Sequence, residues 1–262
     1  MRVAHLILRS TNSHHTEILI RQMWHQDFDF YVHIDKKLDI KTYKFIQKIP
    51  NVYFIKERKD IKWESFNSVI AIFSWVKEIV GSGIRYQFIN TLSGEDYPLK
   101  TADELRTFFL KNKGQEFLTC WDLKNDLKDG SRRVEKYYFT DLNFWGKNWF
   151  EKLLNIVRPP RKIPYNLHPY GNSMFWMLSP DAAMYVIQRI QNDIKLIQFF
   201  SLCWGSAEFV FQTILLNSPY KDNIVNNNYR FNDQSQELLS SVAMDAANYN
   251  SFNKSNMLFA SR

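Results

Sequence analysis

Two adjacent carboxylates in the segment Ser93–Lys100 are the residues of this chain best suited to chemistry. Glu95 and Asp96 directly follow Gly94, and the segment follows an apolar run of strand type. We therefore expect both carboxylates on a loop at the carboxyl end of a buried strand, where open α/β sheets bind ligands. Carboxylates in such a crevice can orient sugar hydroxyls or act as general bases. The alternative is a solvated turn that caps the next helix.

A second charged segment follows the apolar run Tyr31–Ile34. Asp35 stands beside Lys36 at this point. The carboxylate can hold a ribose or uracil group while the lysine meets a phosphate. Charged turns after strands are also common where no ligand binds, so the residues alone leave both interpretations open.

Elements of two kinds must position these residues. Short β-rich runs alternate with helical patterns in the first hundred residues, which predicts an α/β fold with a mostly parallel sheet flanked by helices. The predicted strands are Val3–Leu8, Phe30–Ile34, Val52–Ile55 and Tyr86–Leu92. The predicted helices are Thr16–Met23, Ser65–Val80, Asp181–Ile190 and Glu208–Leu216, with a further helix start at the capping box of Thr101 and Glu104. Residues 120–170 lose this periodicity and are interpreted as an insertion or lid-like region.

The composition narrows the class of partner. A length of 262 residues fits one α/β domain. The net charge of +7 favours anionic partners such as nucleotide diphosphates or anionic lipid surfaces, whereas the lack of basic blocks and zinc-finger spacings disfavours nucleic acid. Aromatic residues make up 16% of the chain, which suits a sugar-binding cleft as well as a core. The two cysteines fit a reducing compartment, and we expect neither a signal peptide nor a membrane span.

Several segments, in order along nearly the whole chain, resemble one family. Asn90–Thr101 resembles the Ser/Cys-Gly-x-Asp-Phe/Tyr-Pro-Ile/Leu-Lys/Arg-Thr motif of the core-2/I-branching N-acetylglucosaminyltransferases and peptide xylosyltransferases. The other matching segments are His33–Lys36 (the early nucleotide-side motif), Lys62–Ser65 (the Trp-Gly-Gly-x-Ser turn), Pro169–Trp176 (Gly-Ser-x-Trp-Phe), Ala207–Ser218 (the acid-bearing helix), Asn228–Arg230 and Leu258–Arg262 (the terminal signatures). Glu64 and Ser65 depart from the usual double glycine.

This resemblance implies a fold and a reaction. The expected fold is a single-domain glycosyltransferase A-type fold with a Rossmann-like sheet. Residues 1–100 would form the nucleotide-sugar side, and residues 101–262 the acceptor side and the C-terminal phosphate-binding end. The expected reaction is an inverting, metal-independent transfer of N-acetylglucosamine or xylose from a UDP-sugar to a glycan or glycolipid hydroxyl. No cofactor is expected beyond the UDP-sugar co-substrate.

The resemblance also assigns roles to residues. Glu208 matches the family's catalytic glutamate and is the first candidate for the base. Asp96 is the second, because the aspartate of this loop is the expected base in the xylosyltransferase branch. The expected nucleotide or diphosphate contacts are Asp35, Lys36, Arg230 and Arg262, and the expected sugar contacts are Glu95, Ser173, Phe175 and Trp176.

Two alternatives stay open. One is a metal-dependent transferase, since Asp27-Phe28-Asp29 has the Asp-x-Asp pattern that holds a metal and a diphosphate in many glycosyltransferases. We discount it because the pattern precedes a predicted strand and the family resembled here works without it. The other is a non-catalytic carbohydrate- or nucleotide-binding module. For the enzyme, we expect a cytoplasmic location and a role in bacterial surface polysaccharide synthesis, with peripheral contact to the inner face of a membrane left open.

Overall fold

A computed structural model of the chain describes residues 1–10, 12–126, 130–231 and 256–260. The strands are β1 (Val3–Ser10), β2 (Phe28–Ile34), β3 (Val52–Phe54), β4 (Phe88–Ser93), β5 (Tyr97–Pro98), β6 (Glu116–Leu118), β7 (Trp121–Asp122), β8 (Tyr170–Gly171), β9 (Trp176–Leu178), β10 (Ile224–Asn226), β11 (Arg230–Phe231) and β12 (Phe259–Ala260). The α-helices are α1 (Ser13–Met23), α2 (Phe66–Val80), α3 (Ala102–Lys111), α4 (Gly130–Glu135), α5 (Lys147–Val157), α6 (Pro180–Gln191), α7 (Ile194–Phe200) and α8 (Val210–Leu216).

Seven strands of the described chain form the central sheet, in the order β10-β6-β9-β4-β1-β2-β3. β9 runs antiparallel to both of its neighbours, β4 and β6, and the other pairings are parallel. Strands from both predicted halves of the chain therefore belong to one sheet. The predicted α/β class is confirmed, and this sheet is consistent with a glycosyltransferase A-type fold. The functional division of the chain near residue 100 stays a prediction.

Helices cover both faces of the sheet. α1 and α3 pack on one side, while α2, α6 and α8 pack on the other. Because its two faces are covered, β2 is buried at every one of its seven residues, five of which are apolar or aromatic, as is typical of internal parallel strands. This covering explains why the strands were detectable as apolar runs rather than as alternating patterns.

Two small sheets bring distant segments to the same edge of the large one. β12 pairs in parallel with β11 and antiparallel with β5, so residues 230–231 lie close to the loop after β4. β7 pairs with β8 and places Gly171 opposite Trp121. The second of these sheets orders part of the region that was interpreted as an insertion, which also contains α4 and α5.

Most predicted elements are confirmed with small boundary changes. Ser65 is the N-cap of α2, and the predicted capping box of Thr101 and Glu104 is present at the start of α3. One prediction is wrong: Glu208 does not begin a helix. It ends a 3₁₀ turn, Ser206–Glu208, and Phe209, with a φ of −144°, separates that turn from α8. Among the described residues, no helix combines the length and the apolar character needed to cross a bilayer.

Candidate active site

The carboxyl ends of the parallel strands bring the predicted site residues to one edge of the sheet. β2 and β4 flank β1 in parallel, so Asp35 and Asp96, which follow them, lie at the same edge. β9 is antiparallel and therefore starts where β4 ends. Its first residue, Trp176, exchanges two hydrogen bonds with Thr91: its amide donates to Oγ1 at 2.8 Å, and Oγ1 donates to its carbonyl at 3.1 Å. The segment before β9, which includes Ser173, thus lies beside the loop after β4.

Gly94 holds the loop after β4 close to β1. Its amide donates to the Arg9 carbonyl at 2.6 Å. A Cβ atom at this position would lie 2.7 Å from that oxygen and 2.8 Å from Oγ1 of Thr16. Both distances are shorter than the contacts that Cβ atoms make in proteins. Only glycine permits this approach, which fixes where the following carboxylates begin.

Asp96 forms a buried ion pair with Arg230. Nη1 of Arg230 donates to Oδ2 of Asp96 at 2.5 Å, and the exposed fractions of the two side chains are 1% and 0%. Oδ2 also accepts from the Ser93 amide at 3.0 Å, and Nη2 of Arg230 donates to the Thr91 carbonyl. Burial lowers the pKa of Arg230, and the charge of Asp96 opposes that effect. The pair fastens the loop after β4 to β11.

The Arg230 guanidinium is also enclosed by aromatic rings. Its Cζ lies 4.6 Å from the ring centroid of Phe175 and 5.1 Å from that of Phe259. As packed, neither the Asp96 carboxylate nor this guanidinium is open to a ligand, and contact with one would require the pair to separate. The diphosphate contact predicted for Arg230, and the sugar contact or catalytic role predicted for Asp96, stay predictions.

Glu208 is held through its backbone by a turn of glycine and asparagine. The Glu208 carbonyl accepts from the amides of Asn172 and Ser173 at 2.9 and 3.2 Å. A Cβ atom at Gly171 would lie 2.3 Å from Cβ of Phe209, so a side chain is excluded there. Gly205, in the left-handed region with a φ of +68°, begins the 3₁₀ turn on the other side. The position of Glu208 is therefore fixed from both sides.

The Glu208 carboxylate faces a guanidinium and remains reachable. Nη1 of Arg133 donates to its Oε2 at 2.5 Å, and 29% of the Glu208 side chain is exposed. The Arg133 guanidinium in turn lies over the ring of Trp204, with Cζ 4.8 Å from the centroid. Arg133 was not a predicted site residue, and no pattern in its charged surroundings marks it.

A cavity of about 340 Å³ lies next to the turn that ends at Glu208, and Glu208 itself is not among its lining residues. Trp204, whose ring carries Arg133, forms part of its wall, and so does Glu64, whose carbonyl accepts from the Gly205 amide at 2.8 Å. The remaining lining residues are Lys62, Tyr138, Thr140, Lys147, Asn148 and Glu151. This volume is at the small end of the range for ligand sites, and the mixture of charged, hydroxyl and aromatic groups suits a ligand with several hydroxyls.

The nucleotide-side residues form a compact turn after β2. Oδ1 of Asp35 accepts from the Lys37 amide at 2.9 Å, and Oδ2 is 3.5 Å from the Ile61 amide. Arg58 donates to the carbonyls of Ile34 and Asp35 at 3.0 and 2.8 Å, which fixes the backbone of the turn. Lys36 is exposed. The structure thus brings Asp35 and Lys36 to the expected edge, and their contact with a nucleotide stays a prediction.

The predicted sugar-binding residues have different environments. Glu95 is exposed, and Phe175 is half-buried with its ring against Arg230. Oγ of Ser173 accepts from the Phe175 amide at 3.1 Å and faces Nδ2 of Asn228 at 3.2 Å.

Trp176 and Arg262 differ from the other predicted site residues. Trp176 is buried, and its ring centroid lies 4.8 Å from that of Phe211, so it is a core residue and offers no open face to a sugar. Its expected role is corrected accordingly, because β9 is an internal strand. Arg262 lies outside the described residues.

The Asp-x-Asp pattern lies at the opposite end of β2. Arg106 donates to Asp27 through Nε at 2.6 Å. Asp29 is fully buried and accepts from Arg2 and, at 2.8 Å, from the Tyr86 hydroxyl. Both carboxylates are therefore neutralised by arginines, away from the carboxyl edge of the sheet. Within the described part of the chain, no three His, Cys, Asp or Glu side chains are grouped as metal ligands.

Known proteins resemble this chain in sequence over most of its length. The family model described as Core-2/I-Branching enzyme matches residues 3–251. Xylosyltransferase 2 of Rattus norvegicus is 26% identical over 84% of this chain and 25% of its own length, and xylosyltransferase 1 of the same species is 24% identical over 89% and 28%. The chain thus spans about a quarter of the length of these curated relatives.

One solved structure resembles the fold only distantly. The 4-diphosphocytidyl-2C-methyl-D-erythritol synthase of Anaerococcus prevotii aligns over 97% of this chain and 94% of its own, with a TM-score of 0.44 and 11% identity. A score this low supports no inference. The family match instead covers the loop after β4, the turn before β9 and the Glu208 turn that form the candidate site. The chain therefore belongs to the Core-2/I-Branching enzyme family.

Proposed function

We propose that this chain is an inverting glycosyltransferase that uses a UDP-sugar, with Glu208 as the general base. The observation that carries the proposal is the placement of Glu208. Its carboxylate is partly exposed, its backbone is fixed by contacts on both sides, and the turn that carries it lies next to a ligand-sized cavity. Family membership and relatives named xylosyltransferases support sugar transfer as the reaction.

The reaction assigns one role to the carboxylate. The acceptor hydroxyl oxygen forms a bond to the anomeric carbon while its proton passes to Glu208. The bond from the anomeric carbon to the diphosphate oxygen breaks on the opposite face, and the diphosphate leaves with the electron pair. This displacement inverts the anomeric configuration. Arg133 acts as a positioning residue, because its hydrogen bond to Oε2 fixes the orientation of the carboxylate.

Cationic side chains take over the neutralisation of the leaving diphosphate in this proposal, so no metal is required. Lys36 and Arg262 are the proposed contacts, with Asp35 at the nucleoside. Arg230 joins them only if its pair with Asp96 opens. The proposed donor sugar is N-acetylglucosamine or xylose, and the proposed acceptor is a glycan or glycolipid hydroxyl in bacterial surface polysaccharide synthesis on the cytoplasmic side.

The metal-dependent alternative is less well supported. Asp27 and Asp29 each face an arginine, at the end of β2 away from the other candidate residues. A divalent ion would have to displace both guanidinium groups. A binding module does not need the Glu208 carboxylate for proton transfer, and an activity measurement distinguishes it from the enzyme.

Release of UDP from a panel of UDP-sugars, measured with and without EDTA, tests the proposal. We expect release with at least one donor that EDTA does not abolish. Glu208→Gln should remove the release, whereas Glu17→Gln, which removes a half-buried carboxylate that pairs with Arg21 on α1, should not. No release above buffer with any donor would favour the binding module, and loss of activity in EDTA would favour the metal-dependent enzyme.

A further inference from the structure

Helix α5 faces the protein with polar side chains and with the ring of Phe150, which stacks on Phe139 with the ring centroids 5.9 Å apart. None of its residues is buried. The Asn155 side chain accepts from the Tyr137 amide at 2.8 Å and donates to the Tyr137 carbonyl at 2.9 Å. One turn earlier, Glu151 accepts from the Phe139 amide at 2.9 Å. These contacts decide which side of the helix faces the chain.

The opposite side of α5 is apolar and open to solvent. Trp149, Leu153 and Ile156 follow each other at helical spacing, with Val157 beside them and Trp145 just before the helix; we call these five residues the outer stripe. Trp145 is 99% exposed and Ile156 82%. A surface helix of a soluble protein normally turns its apolar side to the core. An apolar side that is turned to solvent marks a surface that binds a partner.

The charges around the outer stripe indicate which kind of partner it binds. Residues 142–162 contain five basic residues and one acidic residue, Glu151, which faces the protein. Lys152, Arg158 and Lys162 are exposed and make no ion pair with any described residue. Tryptophans and aliphatic side chains bordered by free cations are the features of helices that lie in the surface of an anionic bilayer.

We propose that the outer stripe is a membrane-docking surface. α5 lies parallel to the plane of the bilayer, the outer stripe enters the boundary between headgroups and acyl chains, and the neighbouring cations contact anionic headgroups. The inner side of the same helix contributes Lys147, Asn148 and Glu151 to the cavity next to the Glu208 turn. Docking would therefore bring that cavity to a membrane-bound acceptor, a consequence that rests on the proposed function, whereas docking itself does not.

Sedimentation with vesicles tests the docking surface directly. The full chain should bind vesicles of phosphatidylcholine mixed with phosphatidylglycerol and bind pure phosphatidylcholine much less, with affinity falling as salt is raised. Trp149→Ser combined with Ile156→Ser should lower the partition coefficient by at least about tenfold, since two apolar side chains leave the bilayer. Lys152→Glu combined with Arg158→Glu should lower it on mixed vesicles and reduce its salt dependence.

Ile194→Ser is the matched control, because Ile194 is 63% exposed on α7 and lies outside the outer stripe. It should bind vesicles like the unchanged chain. All variants should keep the same urea unfolding midpoint, because the substituted side chains are exposed.

The proposal would be overturned if the stripe substitutions left the binding of mixed vesicles unchanged. Failure of the unchanged chain to bind mixed vesicles would also overturn it. That outcome includes a chain that forms a dimer through the outer stripe, which the stripe substitutions would dissociate. Vesicle binding without UDP release would overturn only the proposed function.

Discussion

Removing one member of the Asp96–Arg230 pair should destabilise the fold strongly. Both side chains are withdrawn from solvent, with exposed fractions of 0% and 1%, and their closest atoms are 2.5 Å apart. Loss of one partner leaves the other charge buried without its counter-charge, which costs about 3–5 kcal/mol. Asp96→Asn and Arg230→Met should each lower the free energy of unfolding by about this amount. Arg230 would retain the Thr91 carbonyl as an acceptor, which places Asp96→Asn toward the lower end.

Urea unfolding of the two single variants and of the double variant measures this coupling. The double variant removes both charges together. Its loss of unfolding free energy should therefore be smaller than the sum of the two single losses by about 1–3 kcal/mol. The matched control is the exposed pair of Arg21 and Glu17 on α1, joined at 2.8 Å. Its single substitutions, Arg21→Met and Glu17→Gln, should change stability by less than about 1 kcal/mol.

Two outcomes would refute the reasoning. If Asp96→Asn and Arg230→Met each cost no more than the exposed control, the pair is not desolvated in solution and both groups are open to ligands. If the losses are large but strictly additive, the two side chains contribute through separate contacts. In either case the pair would not be the link between the loop after β4 and β11.

The remaining predictions concern the Glu208 turn and acid stability. Glu208→Gln should lower turnover by roughly 10²–10⁴-fold with UDP affinity unchanged, as measured by UDP release and calorimetry, because the amide cannot accept the proton. Arg133→Gln should lower kcat by roughly tenfold or more through a misplaced base, with partial rescue by Arg133→Lys; equal kcat in all three proteins would remove its positioning role. Gly171→Ala should cost about 1–3 kcal/mol of stability and also reduce turnover, because its Cβ would meet Phe209. Burial lowers the pKa of His5 to about 3, so between about pH 3 and 6.5 the unfolded state binds more protons than the folded state. The contribution of His5 to the free energy of unfolding should therefore be complete above about pH 6.5 and be lost as the pH drops toward 3. His5→Phe should weaken this pH dependence in urea titrations.

The elements that were predictable from the sequence are those with local signals. β1, β2 and α2 were detectable because continuous apolar runs and helical periodicity record burial directly. The start of α3 was predictable because both members of its capping box lie within four residues of each other. The helix start at Glu208 was wrongly predicted, because the break at Phe209 is a backbone conformation that an apolar sequence does not reveal.

The contacts of the candidate site were not predictable in the same way. Arg133 and Glu208 are separated by 75 residues, and Asp96 and Arg230 by 134. No local pattern links such partners; Asp96 and Arg230, for example, meet through the small sheet of β5, β11 and β12. α5 was missed for a different reason. Its apolar residues keep helical spacing, but they are mixed with charges and adjoin two prolines, and the prediction assumed that apolar residues face a core.

The environments of the two candidate bases support a division of roles. A general base must reach the acceptor hydroxyl within hydrogen-bonding distance. The Glu208 carboxylate is partly exposed and therefore open to approach as placed, whereas the Asp96 carboxylate would first have to leave Arg230. The resemblance in sequence made Asp96 the expected base if this chain works like the xylosyltransferases, and two matched relatives carry that name. The cost of exposing a paired, buried charge favours Glu208 over Asp96 as the proposed base, and the pair of Asp96 with Arg230 holds the loop after β4 in place.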